Sequence, residues 1–387
     1  MKRKIRMGML GGGPGSFIGP VHRIAANLDG LIELVCGCFS SNREKSEATG
    51  RGLCLPPERI YASYEEMIER ESALPESERM DFLSIVTPNH LHFAPAAMAM
   101  RHGFHVALDK PMTFSLEEAL QLKKIMEETG KRLLLTHTYS GYPMVKEARF
   151  RVRRGDLGAI RRIYVEYPQG WLSEDCASTN KQAAWRVDPK RAGKAGCMGD
   201  IGTHAFHLAS YITGLRVDEL CAELNAFVPG RLLDDDGTVM LRYEGGARGL
   251  LSASQVATGV ENGLNIRIYG EHGGLEWRQD EPNTMVMRFP DKPAEIIRTG
   301  TSGMLSAAAA HNTRTPGGHP EGFLEAFANL YRNFALTLSA ELEGVKPETE
   351  WLDYPSVDDG VTGLQFIEAV VRSSTENAAW IKHPFEN

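Results

Sequence analysis

Apolar and polar positions follow two different patterns along this chain. In the first third, short apolar runs are separated by segments of helical periodicity. The runs are Met7 to Leu10, Leu31 to Phe39, Phe82 to Val86, Phe104 to Leu108 and Leu133 to Thr136. Helices are expected over Phe17 to Leu28, Asn42 to Arg51, Tyr64 to Glu71 and Leu91 to His102. Another runs to about Glu128 from a capping box made by Ser115 and Glu118. Continuous apolar runs suit strands buried on both faces. Their regular separation by helices predicts a doubly wound parallel sheet.

The pattern changes after about Tyr139. A helix near Val145 to Arg154 leads into a strand, Ile160 to Tyr167. Gln169 to Gly196 is polar with few regular signals, and a helix is expected from Met198 to Thr213. Six strands follow: Leu220 to Val228, Thr238 to Tyr243, Ala247 to Ser254, Leu264 to Tyr269, Gly274 to Arg278 and Met285 to Phe289. Turns with Gly-Gly and Pro-Asn between them predict a mostly antiparallel sheet. Asp291 to Gly318 reads as loop, and helices near Gly322 to Glu341 and Val357 to Ser374 close the chain. The fold class is therefore α/β, with a first domain over 1–138 and a second over 139–387.

Composition narrows the possibilities. The chain has 387 residues, 42% hydrophobic and 24% charged, as in soluble globular proteins. A net charge of −7 argues against nucleic acid and anionic membrane as partners. No apolar run approaches the roughly 20 residues that span a bilayer. Met1 to Leu10 lacks the long apolar region of a secretory leader. The six cysteines, Cys36, Cys38, Cys54, Cys176, Cys197 and Cys221, form no C-x-x-C pair. Free thiols in a reducing cytoplasm, and no metal site, are expected.

Candidate chemistry gathers at predicted strand ends, where ligands bind in such sheets. Gly11, Gly13 and Ser16 fit a dinucleotide turn, G-x-G-x-x-[G/A/S], between a strand and a helix. The first glycine permits the turn, the second lets a pyrophosphate approach, and the small third residue lets helix and strand pack closely. The helix N-terminus that follows favours phosphate. Gly11, Gly13, Pro14, Gly15, Ser16 and Phe17 are thus candidate cofactor contacts. After the second strand, Ser40, Ser41 and Arg43 stand where NAD-specific folds carry an acidic residue. They suit a 2′-phosphate, although Arg43 also reads as a solvated helix residue, so the cofactor is NAD or NADP. Thr87, Pro88, Asn89 and His92 form a third loop, with Asn89 and His92 placed to touch ribose or nicotinamide. Lys110, after Asp109 and before a proline, can stabilise a developing alkoxide beside a nicotinamide ring. Asp200 and His204 stand four apart, on one face of a helix. A histidine titrates in the range needed to take a hydroxyl proton, and a carboxylate can orient it. A helix cap and a packed histidine are the alternative readings of that pair.

D-K-P around Lys110, with G-D-I-G-T-H over 199–204, resembles the glucose–fructose oxidoreductase/inositol dehydrogenase family (Gfo/Idh/MocA). GGGPGSFIG, TPNHLH, AAWRVDP and GHPEGFLEAFANLY resemble further segments of that family, over nearly the whole chain. The resemblance implies a Rossmann domain followed by an α/β domain with a large open sheet. It implies Lys110, Asp200 and His204 as the catalytic trio, with His204 the acid/base, Lys110 polarising the reacting oxygen and Asp200 positioning. It brings Trp185 and Arg186 to the cofactor, and it implies assembly through the open sheet as a homodimer or homotetramer. Asp109 stands where the family usually has glutamate. The implied activity is hydride transfer between NAD(P) and a secondary alcohol or ketone carbon of a sugar, polyol or sugar derivative. An NAD-dependent glycosidase acting by transient oxidation and elimination, and a non-catalytic cofactor sensor, are the rival readings. His137, Tyr139, Tyr142, Trp171, His207 and His319 are candidates for contact with a small sugar-like substrate, with packed polar residues the alternative reading of His137, Tyr139, Tyr142 and His319. Both Trp171 and Trp185 offer flat apolar faces suited to sugar C–H groups, and core or subunit contacts are the alternative reading of both.

Overall fold

Five apolar runs become five parallel strands in the computed structural model, which describes residues 3–175, 180–301 and 303–385. The strands are β1 (Ile5–Gly11), β2 (Ile32–Cys38), β3 (Phe82–Val86), β4 (His105–Leu108) and β5 (Leu133–Leu135). Helices α1 (Ile18–Asn27), α2 (Arg43–Gly52), α3 (Tyr64–Ser72), α4 (Phe93–Arg101) and α5 (Leu116–Thr129) connect them. The order is β2-β1-β3-β4-β5, all parallel. Chain direction across the sheet reverses between β1 and β3, the point at which open α/β sheets bind ligands. β3 is buried at every position, as a central parallel strand must be. Ser63 and Ser115 cap α3 and α5 by accepting from the amides of Glu66 and Glu118.

The second sheet has nine strands. Its unit opens with α6 (Pro143–Arg154) and β6 (Ile160–Pro168), then α7 (Lys181–Arg186) and α8 (Pro189–Ala192). A π-helical turn, Met198–Gly202, runs directly into α9 (Thr203–Thr213). Strands β7 (Val217–Asn225), β8 (Asp236–Tyr243), β9 (Arg248–Ser254), β10 (Asn265–Gly270), β11 (Gly274–Arg278), β12 (Thr284–Arg288) and β13 (Glu295–Arg298) follow. The chain ends in α10 (Ala307–His311), α11 (Phe323–Glu343), α12 (Val357–Thr375) and β14 (Ile381–Lys382). The order is β13-β12-β11-β10-β6-β9-β8-β7-β14, antiparallel except where β6 meets β9. Helices α6 and α9 pack on one face. The expected loop 291–318 thus contains an edge strand, β13, and a short helix. β13 has alternating half-exposure with no fully buried residue, which gives it little hydrophobic signal.

Contacts group Met1–His137 with Phe327–Val361, and Thr138–Ala326 with Thr362–Asn387. The sequence reading puts all of 139–387 in one domain, whereas Phe327–Val361 packs with the N-terminal unit. Tyr331 on α11 shows why. Its hydroxyl meets His22 Nδ1 of α1 at 2.7 Å and Ser84 Oγ of β3 at 3.0 Å, all three buried. The His22 ring also packs edge-on against Phe327, 4.7 Å between centroids.

Two glycines respond oppositely to one added methyl group. A Cβ at Gly19 in α1 would overlap the Cα of Gly12, whereas one at Gly363 in α12 would meet nothing within 4 Å. In a helix Gly→Ala stabilises by about 1 kcal/mol when space allows, and forced overlap costs about 1–3 kcal/mol. Gly363→Ala is expected to raise the thermal midpoint and Gly19→Ala to lower it, as read by calorimetry.

Burial pushes the His22 imidazole from 6.5 down to about 4. Between those values the unfolded chain binds a proton that the folded chain refuses. Stability therefore falls as pH drops through that window and levels off below it. His105, pushed to about 3 by burial, adds to the same trend. The loss from His22 alone should reach about 2 kcal/mol by pH 5. Urea unfolding at pH 7.5 and 5 checks this, with a shallower pH dependence expected for His22→Gln.

Candidate functional site

In the first unit, the candidate groups occupy loops at the carboxyl ends of β1 to β4. Gly11, Gly12 and Gly15 all have positive φ, a backbone that side chains rarely tolerate. The remaining small residues serve packing, and not at the positions expected. A Cβ on Gly13 would lie 2.5 Å from the Phe39 carbonyl oxygen, so this glycine fits the turn against the end of β2. Close approach of helix and strand falls to Gly19 and Gly12, not to Ser16. Ser16 Oγ instead accepts from the Gly19 amide at 3.2 Å and so caps α1. Pro14 and Gly15 complete the turn, and Phe17 projects from it, 66% exposed. A backbone-lined turn at a helix N-terminus fits a dinucleotide pyrophosphate.

At the end of β2, Ser40 Oγ accepts from the Asn42 amide and Asn42 caps α2. Ser41 is exposed beside them. Arg43 is a surface residue whose Nε donates to Glu47 at 2.9 Å. That exposed pair is weak and would yield readily to a phosphate.

The loops after β3 and β4 are tied together. His92 is fully buried, with Nε2 2.7 Å from the Thr87 carbonyl oxygen and Nδ1 3.0 Å from that of Pro111. Both ring nitrogens therefore face the protein's own backbone. His92 thereby ties the loop after β3 to the loop after β4. Asn89 is also buried, with Pro88 and Thr87 before it in the same loop. Upstream of Lys110, Asp109 Oδ1 accepts from the Lys110 amide at 2.9 Å and the Thr136 hydroxyl at 3.0 Å. The shorter aspartate side chain thus has two bonds of its own. His137, at the end of this unit, is buried.

In the second unit, Asp200 lies in the π-helical turn and His204 in the first turn of α9. The simple α-helical face inferred from their spacing is thereby altered, and π-turns recur at functional sites. Asp200 Oδ2 accepts from Arg186 Nε at 3.0 Å and Gln255 Nε2 at 2.9 Å. The Arg186 guanidinium also lies 4.3 Å from the Trp185 ring and 5.7 Å from that of Trp171. Arg186, expected at the cofactor, thus spends its Nε on Asp200 and its Nη1 on Gln182. His204 is buried against Tyr139, centroids 4.9 Å apart and nearly perpendicular, and Tyr167 is 6.3 Å away. The Tyr139 and Tyr167 hydroxyls bond each other. Burial raises both phenols above their usual range, Tyr167 most.

Several residues in this cluster escape sequence reading. Asn262 joins Tyr139, Tyr167, Gln169 and Gln279. Gln255 and Asn262 come from strand-end loops, where a polar residue carries no distinguishing signal. Tyr142 joins through Gln279 Nε2 at 3.4 Å. His207 stacks on Tyr211. His319 is exposed, its Nδ1 3.3 Å from the Pro316 carbonyl oxygen. Among the described residues no cluster of three His, Cys, Asp or Glu is arranged to hold a metal. The five described cysteines are free thiols, and Cys176 lies outside the described residues. No described helix is long and apolar enough to cross a membrane.

Comparison with known proteins identifies the family. Residues 5–137 match the oxidoreductase family with an NAD-binding Rossmann fold, and 145–276 match the GFO/IDH/MocA C-terminal domain. The chain is 31% identical over 386 residues to the uncharacterized oxidoreductase YfiI of Bacillus subtilis (strain 168), covering 99% of this chain and 98% of that protein. It is 44% identical, with TM-score 0.89, to the crystal structure of an oxidoreductase from Sinorhizobium meliloti, covering 98% of this chain and all of that one. An inositol dehydrogenase homolog from Azotobacter vinelandii, complexed with NADH and myo-inositol, is 32% identical with TM-score 0.91, covering 99% and 98%. With both domain models matched and full-length relatives on either side, the chain belongs to the Gfo/Idh/MocA family of NAD-binding oxidoreductases.

Proposed function

We propose that this enzyme transfers a hydride between nicotinamide and one secondary alcohol or ketone carbon of a sugar, polyol or sugar derivative. The observation that carries the reading is the setting of His204. Burial raises the phenols beside it, and Asp200 is ion-paired to Arg186. Of the described groups in that cluster, the imidazole alone has an ordinary range that spans neutrality. His204 takes the hydroxyl proton on oxidation and returns it on reduction. Lys110 is the residue to stabilise the negative charge that develops on that oxygen. Asp200, fixed by Arg186 and Gln255, positions substrate. Bound NAD or NADP supplies the hydride acceptor or donor. The residues that would hold it are the turn Gly11 to Phe17, Ser40, Ser41 and Arg43, the loop Thr87 to Asn89, Asp109 and Lys110, and Trp185 with Arg186. Tyr139, Tyr142, Trp171, His137, His207 and His319 are the candidates for the substrate wall. The reading makes this a cytoplasmic enzyme.

The test follows cofactor absorbance with NAD+ and NADP+ against a panel of polyols and sugars that includes myo-inositol. Reduced cofactor is expected in proportion to oxidised product. Lys110→Ala and His204→Ala should each lower kcat by about 10²–10⁴-fold. Full turnover in either variant would reject the assignment. Product without net cofactor reduction would support the elimination reading instead, and tight cofactor binding with no turnover across the panel would support a sensor.

The face of the nine-stranded sheet opposite α6 and α9 supports a homodimer or homotetramer. The strand register places Ile296, Val286, Glu276, Arg267, Tyr164, Leu250 and Met240 in one row across it. Met240 is 47% exposed and Ile296 70%. Rows mixing aromatic, aliphatic and paired charged groups are suited to a buried contact. Sedimentation should give a dimer or tetramer for the unaltered chain and a smaller species for Leu250→Arg. A monomer in both would overturn this proposal.

A further inference from the structure

One indole fixes the direction of a described series of hydrogen bonds that reaches the phenols beside His204. Trp171 can only donate, and its Nε1 meets Gln169 Oε1 at 3.0 Å. Gln169 must then turn its Nε2 toward Asn262 Oδ1, 2.7 Å away. That places Asn262 Nδ2 against Gln279 Oε1 at 3.1 Å, and Gln279 Nε2 against the Tyr142 hydroxyl. No amide in this series can flip without setting two donors or two acceptors face to face.

The same logic orders the phenols. Tyr167 donates to Asn262 Oδ1 at 2.8 Å, so its hydroxyl proton is committed. In the bonded pair of hydroxyls, Tyr139 must therefore be the donor to Tyr167. Asn262 Nδ2 closes the triangle on Tyr139 Oη at 3.4 Å. All four bonding capacities of the Asn262 amide are used. The two phenol rings it holds are those lying 4.9 and 6.3 Å from the His204 ring.

We propose that Asn262 is a positioning residue for His204: it locks the phenols that wall the imidazole, in a proton order set from Trp171. This rests on the reading of His204 as the acid/base. A ring held only by packing can rotate about its χ angles, whereas one between fixed neighbours keeps a single orientation for proton transfer. The committed hydroxyls also cannot compete for the proton that His204 moves. The described titratable and charged groups around it include Tyr139, Tyr167, Tyr142, Asp200 and its partner Arg186.

The experiment uses the full chain without substrate, labelled with carbon-13 at histidine Cε1. The His204 signal, one of twelve histidines, is identified by its loss in His204→Gln. In the unaltered chain it is displaced by the Tyr139 ring current and is sharp. Asn262→Leu, similar in size and unable to hydrogen-bond, is expected to shift and broaden it. Asn262→Asp keeps both acceptor contacts but loses both donors, to Gln279 and Tyr139, and is expected to shift the His204 signal as well. An unmoved signal in Asn262→Asp would overturn the proposal, even if Asn262→Leu does not fold. A response of the signal combined with full turnover in His204→Gln would leave the wall intact and reject the catalytic reading alone.

Discussion

The Asp234 carboxylate takes the amide of Gly196 at 2.6 Å and that of Met198 at 2.7 Å. Without it, the turn that carries Asp200 would begin with two amide donors unpaired, each costing about 1–3 kcal/mol if left buried. The neighbouring Asp235 does the same for the amides of Phe227 and Val228. In the other unit, Asp109 holds the Lys110 amide and His92 spans two carbonyls. Backbone that must leave regular structure to present a reactive group loses its ladder partners, and these side chains replace them. The chemistry therefore sits on irregular loops that are nonetheless fixed.

Charge is handled in the same economical way. The Arg186–Asp200 pair is partly shielded, with 23% and 15% of its side chains exposed. Its desolvation is offset by Gln255 on the carboxylate and by two indoles around the guanidinium. An ion pair so placed adds little net stability but is costly to break. The carboxylate and the guanidinium thus neutralise each other within the cluster.

Much of this is readable from residue order. Four of the five strands of the first sheet are legible because nearly every position is buried, and β2, though part-exposed at Glu33 to Val35, is still a short apolar run bounded by turn residues, which suits a strand better than a helix. The glycine turn is legible as a turn, but its packing is not: which glycine meets Phe39 and which meets another glycine depends on three-dimensional approach. Asp200 and His204 can be paired by spacing, yet the π-turn between them has no sequence signature. Asn262 and Gln255 cannot be chosen from among other loop amides, because their importance comes from partners tens of residues away. Edge strand β13 is hidden for a related reason. With one neighbour and both faces partly wet, it needs no alternating pattern.

The return of Phe327–Val361 to the N-terminal unit has a consequence for anyone cutting this gene into parts. A fragment ending near residue 138 would carry His22 and Ser84 without the phenol that both of them meet, and with the apolar bed of a missing helix open to water. The Rossmann unit is thus completed late in translation, after nearly all of the nine-stranded sheet has been made.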